Sequence, residues 1–439
     1  MTMRILKIIP GSGEGFLCEN CLRDQSLITK LCEQGHEVTV VPIYLPMPDA
    51  PGCAAPPVQP FYGAVRVYLE HRFPFFRRAP QWIKRWLDSP RVLRMAGRRS
   101  ATSSSRKLGG LTLSMLRGEH GGQAAELDAL CDWIRDTQEK PDIIHLSNAL
   151  LLGMVRRLNA TLNVPVVCSL QDEDTWIDAM PAPTATLIWA EIRDRVADVA
   201  GLITVSRYYA DKILPRLTGT AAALPPVRVV HPGIDVPHDG GRASPRAEQT
   251  PPLWWNVLLD PDGFEALDLI LRAFTRARQS PSCGNLHLHC SGVTRSVSGH
   301  SPSRCRRLGK HGLRQCVRFS PQMLDAEERL AFIRSSALFT VLHRNAAAFD
   351  LSVLEAMACG VPVLQPDAGA NPEILALAEG GAMFEPGNAE ALSKRVVSFF
   401  DDPSRLAVCA QRGRQGVAQH FSAARMAQET LAAYESYAV

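Results

Sequence analysis

The sequence predicts an α/β protein with two domains, each built on a parallel β-sheet that helices cover on both faces. Short apolar runs alternate with helical patterns along most of the chain, which is typical of parallel strands joined by helical crossovers. The chain has 439 residues, more than a single hydrophobic core usually serves. A stretch rich in Pro, Gly and polar residues, 236–252, predicts a linker between two such sets of elements.

The first domain is expected to span residues 1–235. Its predicted strands are 4–10, 36–45, 65–71, 141–148, 164–171 and 201–206. Its predicted helices are 22–35, 149–162, 190–200 and 207–217. Gly35 is expected to end the first helix, because glycine is the usual residue just beyond a helix C-terminus.

The second domain is expected to span residues 253–420. Its predicted strands are 253–259, 286–292, 316–321, 337–342 and 361–366. Its predicted helices are 264–278, 325–336, 351–359 and 389–402, followed by a helical tail with apolar residues at i, i+3 and i+4. The last part of the tail, 421–439, is expected to pack back on the N-terminal domain.

Composition and charge exclude several classes of protein. The chain is 46% apolar and 21% charged, as in a globular protein, and its net charge of +4 is too small to indicate nucleic-acid binding. No apolar run approaches the roughly 18 residues of a membrane-spanning helix. The opening MTMRILKIIPG predicts a strand rather than a signal peptide, so a cytoplasmic location is expected.

The cysteines and histidines do not predict a metal site. In a reducing compartment the 12 cysteines are expected to be mostly buried thiols. Cys18 and Cys21 form a CxxC pair, for which a structural role and a redox or metal role both stay open. There is no second such pair and no histidine cluster with ligand spacing, so no metal is expected.

The segment 72–118 interleaves Phe and Trp with many Arg and Lys residues. Three interpretations stay open: a solvated basic face packed by its aromatics, contact with an anionic membrane or lipid acceptor, and nucleic-acid binding. The first is favoured and the third least favoured. Peripheral contact with the inner face of a membrane is therefore kept as an expectation, and no nucleic-acid partner is expected.

Residues 339–373 carry the most informative pattern of the chain. They combine a strand, a helix that begins near Leu351, a Gly-Val-Pro break at 360–362 and a second strand. The string LEAMACGVPVLQ within them resembles the sugar-nucleotide half of the retaining glycosyltransferases of family 4, which have the GT-B fold. The N-terminal strings GSGEGFLCENC, PDIIHLSN, VPVVCSLQDEDTW and VRVVHPGID resemble the other half. The resemblance implies two Rossmann-like domains facing each other across a cleft.

The resemblance also implies an activity. Such an enzyme transfers a sugar from a nucleotide-sugar donor to a hydroxyl of a glycan, lipid or small-molecule acceptor with retention, in glycan or glycolipid synthesis. Its mechanism is thought to be front-face, with the donor phosphate assisting deprotonation of the acceptor, so no protein nucleophile is required. Neither a cofactor nor a metal ion is expected.

The implied donor site lies in the second domain. The family places the diphosphate at a helix N-terminus, here Leu351 and Ser352, where N–H groups and the helix dipole favour anions. Glu355 matches the glutamate that contacts the ribose. The loop with Gly369, Asn371 and Glu373 resembles the one that closes on the donor, and the cations that could assist are Arg344, Arg295 and Arg314.

The implied acceptor side lies in the first domain. A glycine-rich loop with Gly11, Gly13, Gly15 and Asn20 resembles the loop that approaches acceptor or phosphate. A mere turn is the alternative interpretation of these glycines. Gln171 stands where many family members have a histidine, and it is the candidate catalytic residue together with Asp172.

Four positions depart from the family pattern in ways that disfavour binding of a nucleotide-sugar donor. Ala347 replaces the first of two glutamates, Asp350 replaces a glycine, Glu265 replaces a lysine, and the expected arginine is missing from NVLLDPDGF. Removing one charged hydrogen bond to a phosphate costs about 1.5–3 kcal/mol, and each 1.4 kcal/mol is about tenfold in affinity.

These departures keep other functions open. One is a catalytically impaired, glycosyltransferase-like subunit that binds or activates a partner glycosyltransferase. A less favoured one is a regulator that binds carbohydrate or nucleotide.

Overall fold

The computed structural model describes residues 2–11, 19–44, 105–137, 139–219, 223–235, 253–260, 264–292, 313–321 and 326–437. Several sequence predictions lie outside these residues. They are the strand at 65–71, the linker 236–252, most of the basic segment 72–118, and the residues Gly13, Gly15, Cys18 and Arg295.

The chain divides into two compact units, one formed by residues 1–233 with 423–439 and the other by 234–422. The described strands of the first unit form a six-stranded parallel sheet in the order β2-β1-β3-β4-β5-β6. They are β1 (Arg4–Ile9), β2 (Glu37–Pro42), β3 (Ile143–Leu146), β4 (Val166–Leu170), β5 (Gly201–Thr204) and β6 (Val227–Val229). Strands β3, β4 and β5 are buried throughout, as their apolar sequences predict for central strands of a covered sheet.

Helices connect the strands of the first unit. They are Glu19–Glu33, Ser105–Leu116, Ala124–Thr137, Val155–Leu162, Glu173–Asp178, Ala182–Arg195, Arg207–Leu217 and the last helix of the chain, Ala423–Tyr437. The last helix packs in this unit, where Met426 and Tyr434 join the same apolar core as Ile5 and Ile143. The Tyr437 hydroxyl donates to the Leu202 carbonyl over 2.9 Å.

A buried polar network crosses the core of the first unit. The ammonium of Lys7, a fully buried residue of β1, lies 3.3 Å from Asp24 Oδ1 and 3.1 Å from His145 Nδ1. Arg23 also pairs with Asp24, at 2.9 Å, and the Tyr434 hydroxyl lies 2.5 Å from His145 Nδ1. Burial lowers the pKa of Lys7 to about 8, although the Asp24 carboxylate opposes that shift. The network therefore joins the last helix to the centre of the N-terminal sheet.

The second unit holds a six-stranded parallel sheet in its described part, in the order β12-β11-β10-β7-β8-β9. Its strands are β7 (Leu253–Leu259), β8 (Leu286–Ser291), β9 (Val317–Ser320), β10 (Leu338–Leu342), β11 (Val363–Pro366) and β12 (Gly381–Phe384). Its helices are Phe264–Ala277, Ala326–Arg334, Leu351–Ala358, Asn371–Ala378, Ala389–Phe400 and Pro403–His420. The predicted fold class, two Rossmann-like α/β domains, is confirmed.

The strand order of the second sheet creates a point where ligands bind in such folds. The chain builds outward from β7 in one direction and then returns to place β10 on its other side. Ligands of open α/β sheets bind at the carboxyl ends of the strands where the strand order reverses, which is called the switch point of the sheet. Leu259 at the end of β7 pairs with Leu342 at the end of β10. The next residues, Asp260 and His343, therefore lie side by side at this point.

Some elements differ from the sequence-based prediction. The predicted helix 149–162 begins as a 3₁₀-helix, Ala149–Met154, and becomes α-helical at Val155. A Cβ on Gly153 would clash with the Met115 carbonyl oxygen, so the close approach of these two backbones needs glycine. The structure also adds helices that the sequence analysis did not predict, at Ser105–Leu116, Ala124–Thr137 and Glu173–Asp178.

Two further properties concern the membrane and the thiols. Within the described ranges, no helix is both long and apolar enough to pass through a bilayer. Cys131, Cys168, Cys283 and Cys290 are buried thiols, as the sequence predicts, whereas the thiols of Cys21, Cys316, Cys359 and Cys409 are partly exposed.

Candidate functional site

A histidine lies between two carboxylates at the switch point of the second sheet. His343 Nδ1 is 3.1 Å from Asp260 Oδ1, and His343 Nε2 is 2.8 Å from Asp350 Oδ2. Both ring nitrogens therefore face acceptors, an arrangement that only the doubly protonated imidazolium satisfies. The backbone N–H of Arg344 donates to the other oxygen of Asp260, at 2.8 Å. One cation and two anions thus meet where a donor diphosphate is expected.

The ionisation of these groups is coupled. Burial alone would lower the pKa of His343, but its bonds to Asp260 and Asp350 outweigh burial and raise this pKa well above the usual value. Burial would raise the pKa of Asp260, and the bond to His343 lowers it instead. The cluster consequently keeps a charged histidine at neutral pH.

Asp350 also caps the helix Leu351–Ala358, as the sequence predicts. Its Oδ1 accepts from the backbone N–H groups of Ser352 and Val353, at 3.0 and 3.3 Å, and the residue is 3% exposed. A carboxylate of the chain thereby occupies the anion-favouring end of this helix. The Ser352 N–H, which the family resemblance offers to a phosphate, donates to Asp350 in this structure.

Glu355 lies on the same helix and is paired with an arginine. Both of its oxygens accept from the Arg329 guanidinium, at 2.7 and 2.9 Å, and the two side chains are only 14% and 16% exposed. Burial raises the pKa of Glu355, although Arg329 opposes that shift. This bidentate pair fixes the carboxylate that the resemblance assigns to a ribose.

The turn after β11 packs against the segment that carries Ala347. Gly369 has a φ of +65°, and a Cβ on it would lie 2.7 Å from the Ala347 carbonyl oxygen, so this close approach requires glycine. Asn371 and Glu373 form the first turn of the helix Asn371–Ala378 rather than a loop, because Pro372 suits the start of a helix. The Asn371 side-chain amide donates to the Pro366 carbonyl over 3.3 Å.

The candidate cations are spread over several elements. Arg344 follows His343 directly and is exposed, whereas Arg314 lies in the 3₁₀ turn Arg314–Cys316 before β9. Glu265 is exposed in the first turn of the helix Phe264–Ala277. The structure therefore brings Arg344 to the Asp260–His343–Asp350 cluster.

The first unit carries a second group of polar residues at the carboxyl edge of its sheet. Gln171 follows β4 and is 2% exposed; its side-chain amide donates to the carbonyl of Ser147, which follows β3. The Gln171 backbone N–H donates to Glu173 Oε2 over 2.8 Å. Glu173 also accepts from the Ala149 N–H at 2.9 Å and from the Tyr209 hydroxyl at 2.8 Å.

Asp172 lies between Gln171 and Glu173 and is half-buried. Burial first, and then the negative charge of Asp174, raise the pKa of Asp172 to about 7. The Thr175 hydroxyl donates to Asp172 over 3.1 Å, while Asp174 pairs with Lys212 at 2.6 Å. Gln171 and Asp172 were predicted from the sequence and Glu173 was not, although a carboxylate so soon after a buried strand is a recognisable signal.

Of the predicted glycine-rich loop, the structure describes Gly11 and Asn20. Gly11 has a φ of +80° just beyond β1, which explains a glycine at this position. Asn20 is exposed in the first turn of the helix Glu19–Glu33, and Cys21 follows it on the same helix. In the part of the chain that the structure describes, no three His, Cys, Asp or Glu side chains are grouped so that they could hold a metal ion.

Models of two glycosyltransferase domains match the chain. Residues 25–233 match a domain described as "Glycosyl transferase 4-like domain", and residues 259–402 match "Glycosyl transferases group 1". The first match lies in the N-terminal unit, and the second contains the switch-point cluster.

Individual relatives agree with these matches. The chain is 27% identical over 315 residues to D-inositol 3-phosphate glycosyltransferase 1 of Catenulispora acidiphila, an alignment covering 67% of this chain and 72% of the relative. It is 30% identical over 132 residues to the lipopolysaccharide core biosynthesis mannosyltransferase LpsB of Rhizobium meliloti, covering 30% of this chain and 36% of that protein. A third relative, a mycobacterial mannosyltransferase, is likewise matched over only 31% of its length.

A solved structure shows the same fold. The Anabaena protein HepE in complex with UDP superposes with a TM-score of 0.61 at 14% identity, covering 99% of this chain and 100% of that one. With both domain models matched and two parallel Rossmann-like sheets observed, the chain belongs to the glycosyltransferases of the GT-B fold and resembles those of family 4.

Proposed function

We propose that this protein transfers a sugar from a nucleotide-sugar donor to a hydroxyl acceptor with retention, in glycan or glycolipid synthesis. The observation that carries the proposal is the switch point of the second sheet, where a helix N-terminus and the His343 imidazolium meet. That point lies inside the segment that matches the group 1 glycosyltransferase domain. A structural neighbour was solved with UDP, and several relatives are named mannosyltransferases.

The donor contacts belong to the second unit in this proposal. The diphosphate lies at the start of the helix Leu351–Ala358, beside Leu351 and Ser352, and receives positive charge from His343 and Arg344. Because Asp350 already accepts two N–H groups there, the donor binds more weakly than it would at an uncapped helix. Each charged hydrogen bond that the diphosphate forgoes for this reason weakens binding by about 1.5–3 kcal/mol.

The remaining donor contacts lie next to this point. Glu355, held by Arg329, contacts the ribose, and Gly369, Asn371 and Glu373 contact the sugar. No cofactor or metal ion takes part, since the helix dipole and the cations supply the positive charge.

The acceptor contacts belong to the carboxyl edge of the first sheet. Gln171 and Asp172 face the acceptor hydroxyl, and the backbone near Gly11 borders it. The hydroxyl proton passes to the leaving diphosphate as the new glycosidic bond forms on the same face of the sugar. Asp172, with its pKa of about 7, can hold or release a proton at neutral pH. The charge beside the acceptor hydroxyl therefore changes with pH in this range.

One observation favours a second candidate, a non-catalytic subunit that binds or activates a partner glycosyltransferase. Asp350 is fixed by its bonds to Ser352, Val353 and His343, so its removal from the helix end would break all of them. A helix end closed in this manner does not readily admit a diphosphate. A subunit of this kind has the same fold and belongs to the same family, but it does not bind a nucleotide-sugar donor.

The two candidates are separated by a donor and acceptor screen. The purified protein is incubated with UDP-, GDP- and ADP-sugars and with glycan, lipid and polyol acceptors, and the products are identified by mass spectrometry. The first candidate predicts transfer from one class of donor, with the configuration of the new bond readable by NMR. No transfer, together with no hydrolysis of any donor, contradicts it and leaves the second candidate.

A further inference from the structure

Glu173 connects three separate elements at the carboxyl edge of the first sheet. One of its oxygens accepts from the Ala149 N–H in the segment after β3, over 2.9 Å. The other accepts from the Gln171 N–H after β4 and from the Tyr209 hydroxyl on the helix Arg207–Leu217, each over 2.8 Å. The residue is only 5% exposed, so this carboxylate is desolvated and relies on these donors.

The bonds of Glu173 fix the neighbourhood of Gln171. With its backbone held by Glu173, the Gln171 side-chain amide donates to the Ser147 carbonyl, which ties the ends of β3 and β4 together. Within the described ranges, Gln171 Oε1 and Ser147 Oγ then have no hydrogen-bond partner, although both residues are almost fully buried. Each of these two buried atoms therefore retains the capacity for a further hydrogen bond.

We propose that Glu173 is a positioning residue, which holds Gln171 and Asp172 in the geometry that the acceptor hydroxyl requires. This inference rests on the proposed glycosyl transfer and adds a residue that does not itself touch the substrate. A purely structural role would be served by any group that satisfies the same donors. Positioning makes the additional claim that the charge of Glu173 acts on its neighbour Asp172.

The charges around Asp172 make that claim testable. Glu173 and Asp174 follow it directly, at the start of the helix Glu173–Asp178, and Lys212 and Tyr209 face it from the helix Arg207–Leu217. The negative charge of Glu173 adds to burial and to Asp174 in raising the pKa of Asp172. Removing that charge while keeping the side-chain shape should therefore make Asp172 a stronger acid.

The experiment compares Glu173→Gln and Tyr209→Phe with the wild-type chain. Glu119→Gln is the matched control, because it removes a carboxylate that pairs with buried Arg195 in the same unit. Each protein is assayed for sugar transfer across pH 5–9 and for donor affinity. The titration of Asp172 is followed by carbon NMR of labelled aspartate, assigned with Asp172→Asn. Circular dichroism and the melting temperature report whether each variant folds.

The expected result is a fall in kcat of about tenfold or more in Glu173→Gln, the size expected when a charge-assisted bond is removed, with donor Kd unchanged. The acid limb of the pH–rate profile and the NMR midpoint of Asp172 should both move to lower pH. Tyr209→Phe, which keeps the charge and two of the three bonds, should lose less activity and leave the Asp172 midpoint nearly in place. Glu119→Gln should resemble the wild type in both readouts.

Two results would overturn the inference. If folded Glu173→Gln transfers sugar as fast as Glu119→Gln, Glu173 does not position the site. If the Asp172 midpoint is the same with and without the Glu173 charge, the coupling is absent, and this readout needs no activity. Wild-type protein that transfers no sugar contradicts the proposed function instead, so the two failures are distinguishable.

Discussion

At the scale of single residues, the donor side differs from a simple phosphate site through one carboxylate. Asp350 caps its helix and binds His343, so it takes both the N–H groups and the nearest cation that a diphosphate would use. The sequence alone predicted the cap, since Asp is a preferred N-cap residue. It did not predict the bond to His343, because that bond depends on how the chain folds between residues 343 and 350.

Removing the carboxylate should therefore open the site. Asp350→Gly combined with Glu265→Lys is expected to raise the affinity for UDP, GDP or ADP by about tenfold or more, the equivalent of one charged hydrogen bond to a phosphate. Isothermal titration calorimetry measures the change. Asp402→Gly is the matched control, because Asp402 caps the helix Pro403–His420 through Ser404 and Arg405 in the same way. Equal affinities in the double variant and the wild type would show that the site lies elsewhere.

The protonation of His343 predicts a pH dependence of stability. Its pKa is higher in the folded chain than in the unfolded one, so its contribution is complete below about pH 6.5 and is lost as the pH rises through the folded value. The difference in unfolding free energy between the wild type and His343→Gln should shrink over that range in urea titrations. A constant difference for His343→Gln would mean that the imidazole is neutral.

At the scale of elements, the apolar strands were predictable and some of the helices between them were not. Strands such as β4 and β10 are short, mostly apolar runs, each with one small hydroxyl residue, a pattern that favours a buried strand. The short helix Glu173–Asp178 begins in an acidic run without apolar periodicity, and its sequence signal is correspondingly weak. The site depends on strand order, because Asp260 and His343 are neighbours only where β7 pairs with β10.

The pair between Glu355 and Arg329 joins the helix Leu351–Ala358 to the helix Ala326–Arg334. Since both side chains are largely buried, removing one partner leaves the other charge without compensation. Arg329→Ala should destabilise the second unit by about 3 kcal/mol or more, measured by chemical denaturation. The double replacement Arg329→Met with Glu355→Leu should recover most of that stability. Equal destabilisation in the single and double variants would show that lost side-chain packing, rather than the unpaired charge, causes the loss of stability.

At the scale of the whole molecule, the chain returns to its first unit after completing the second. The helix Ala423–Tyr437 contributes Met426, Ala433 and Tyr434 to the N-terminal core, and Tyr434 also reaches the buried network at His145. From the sequence, the tail 421–439 is predicted to be helical and to pack on the N-terminal domain. Which strand each side chain meets could not be predicted, since those contacts join residues hundreds of positions apart.

Deleting residues 423–439 should therefore unfold the unit at the other end of the chain. Each large apolar side chain withdrawn from the core removes about 1.5–3 kcal/mol, so several together exceed the usual margin of stability. Differential scanning calorimetry should show the loss of the transition that belongs to the first unit, while the second unit still melts. Glu435→Ala, on the exposed face of the same helix, should leave both transitions in place. Loss of the second unit's transition alone would contradict this assignment.

The central claim is that a chain with these two units binds and uses a nucleotide sugar despite the carboxylate at its donor helix. Calorimetric titration of the purified wild-type protein with UDP, GDP and ADP and with their common sugar conjugates tests it most directly. The account predicts binding in the micromolar range with one base preferred, weakening as the pH rises through the pKa of His343. No binding of any of these nucleotides at any pH would contradict it.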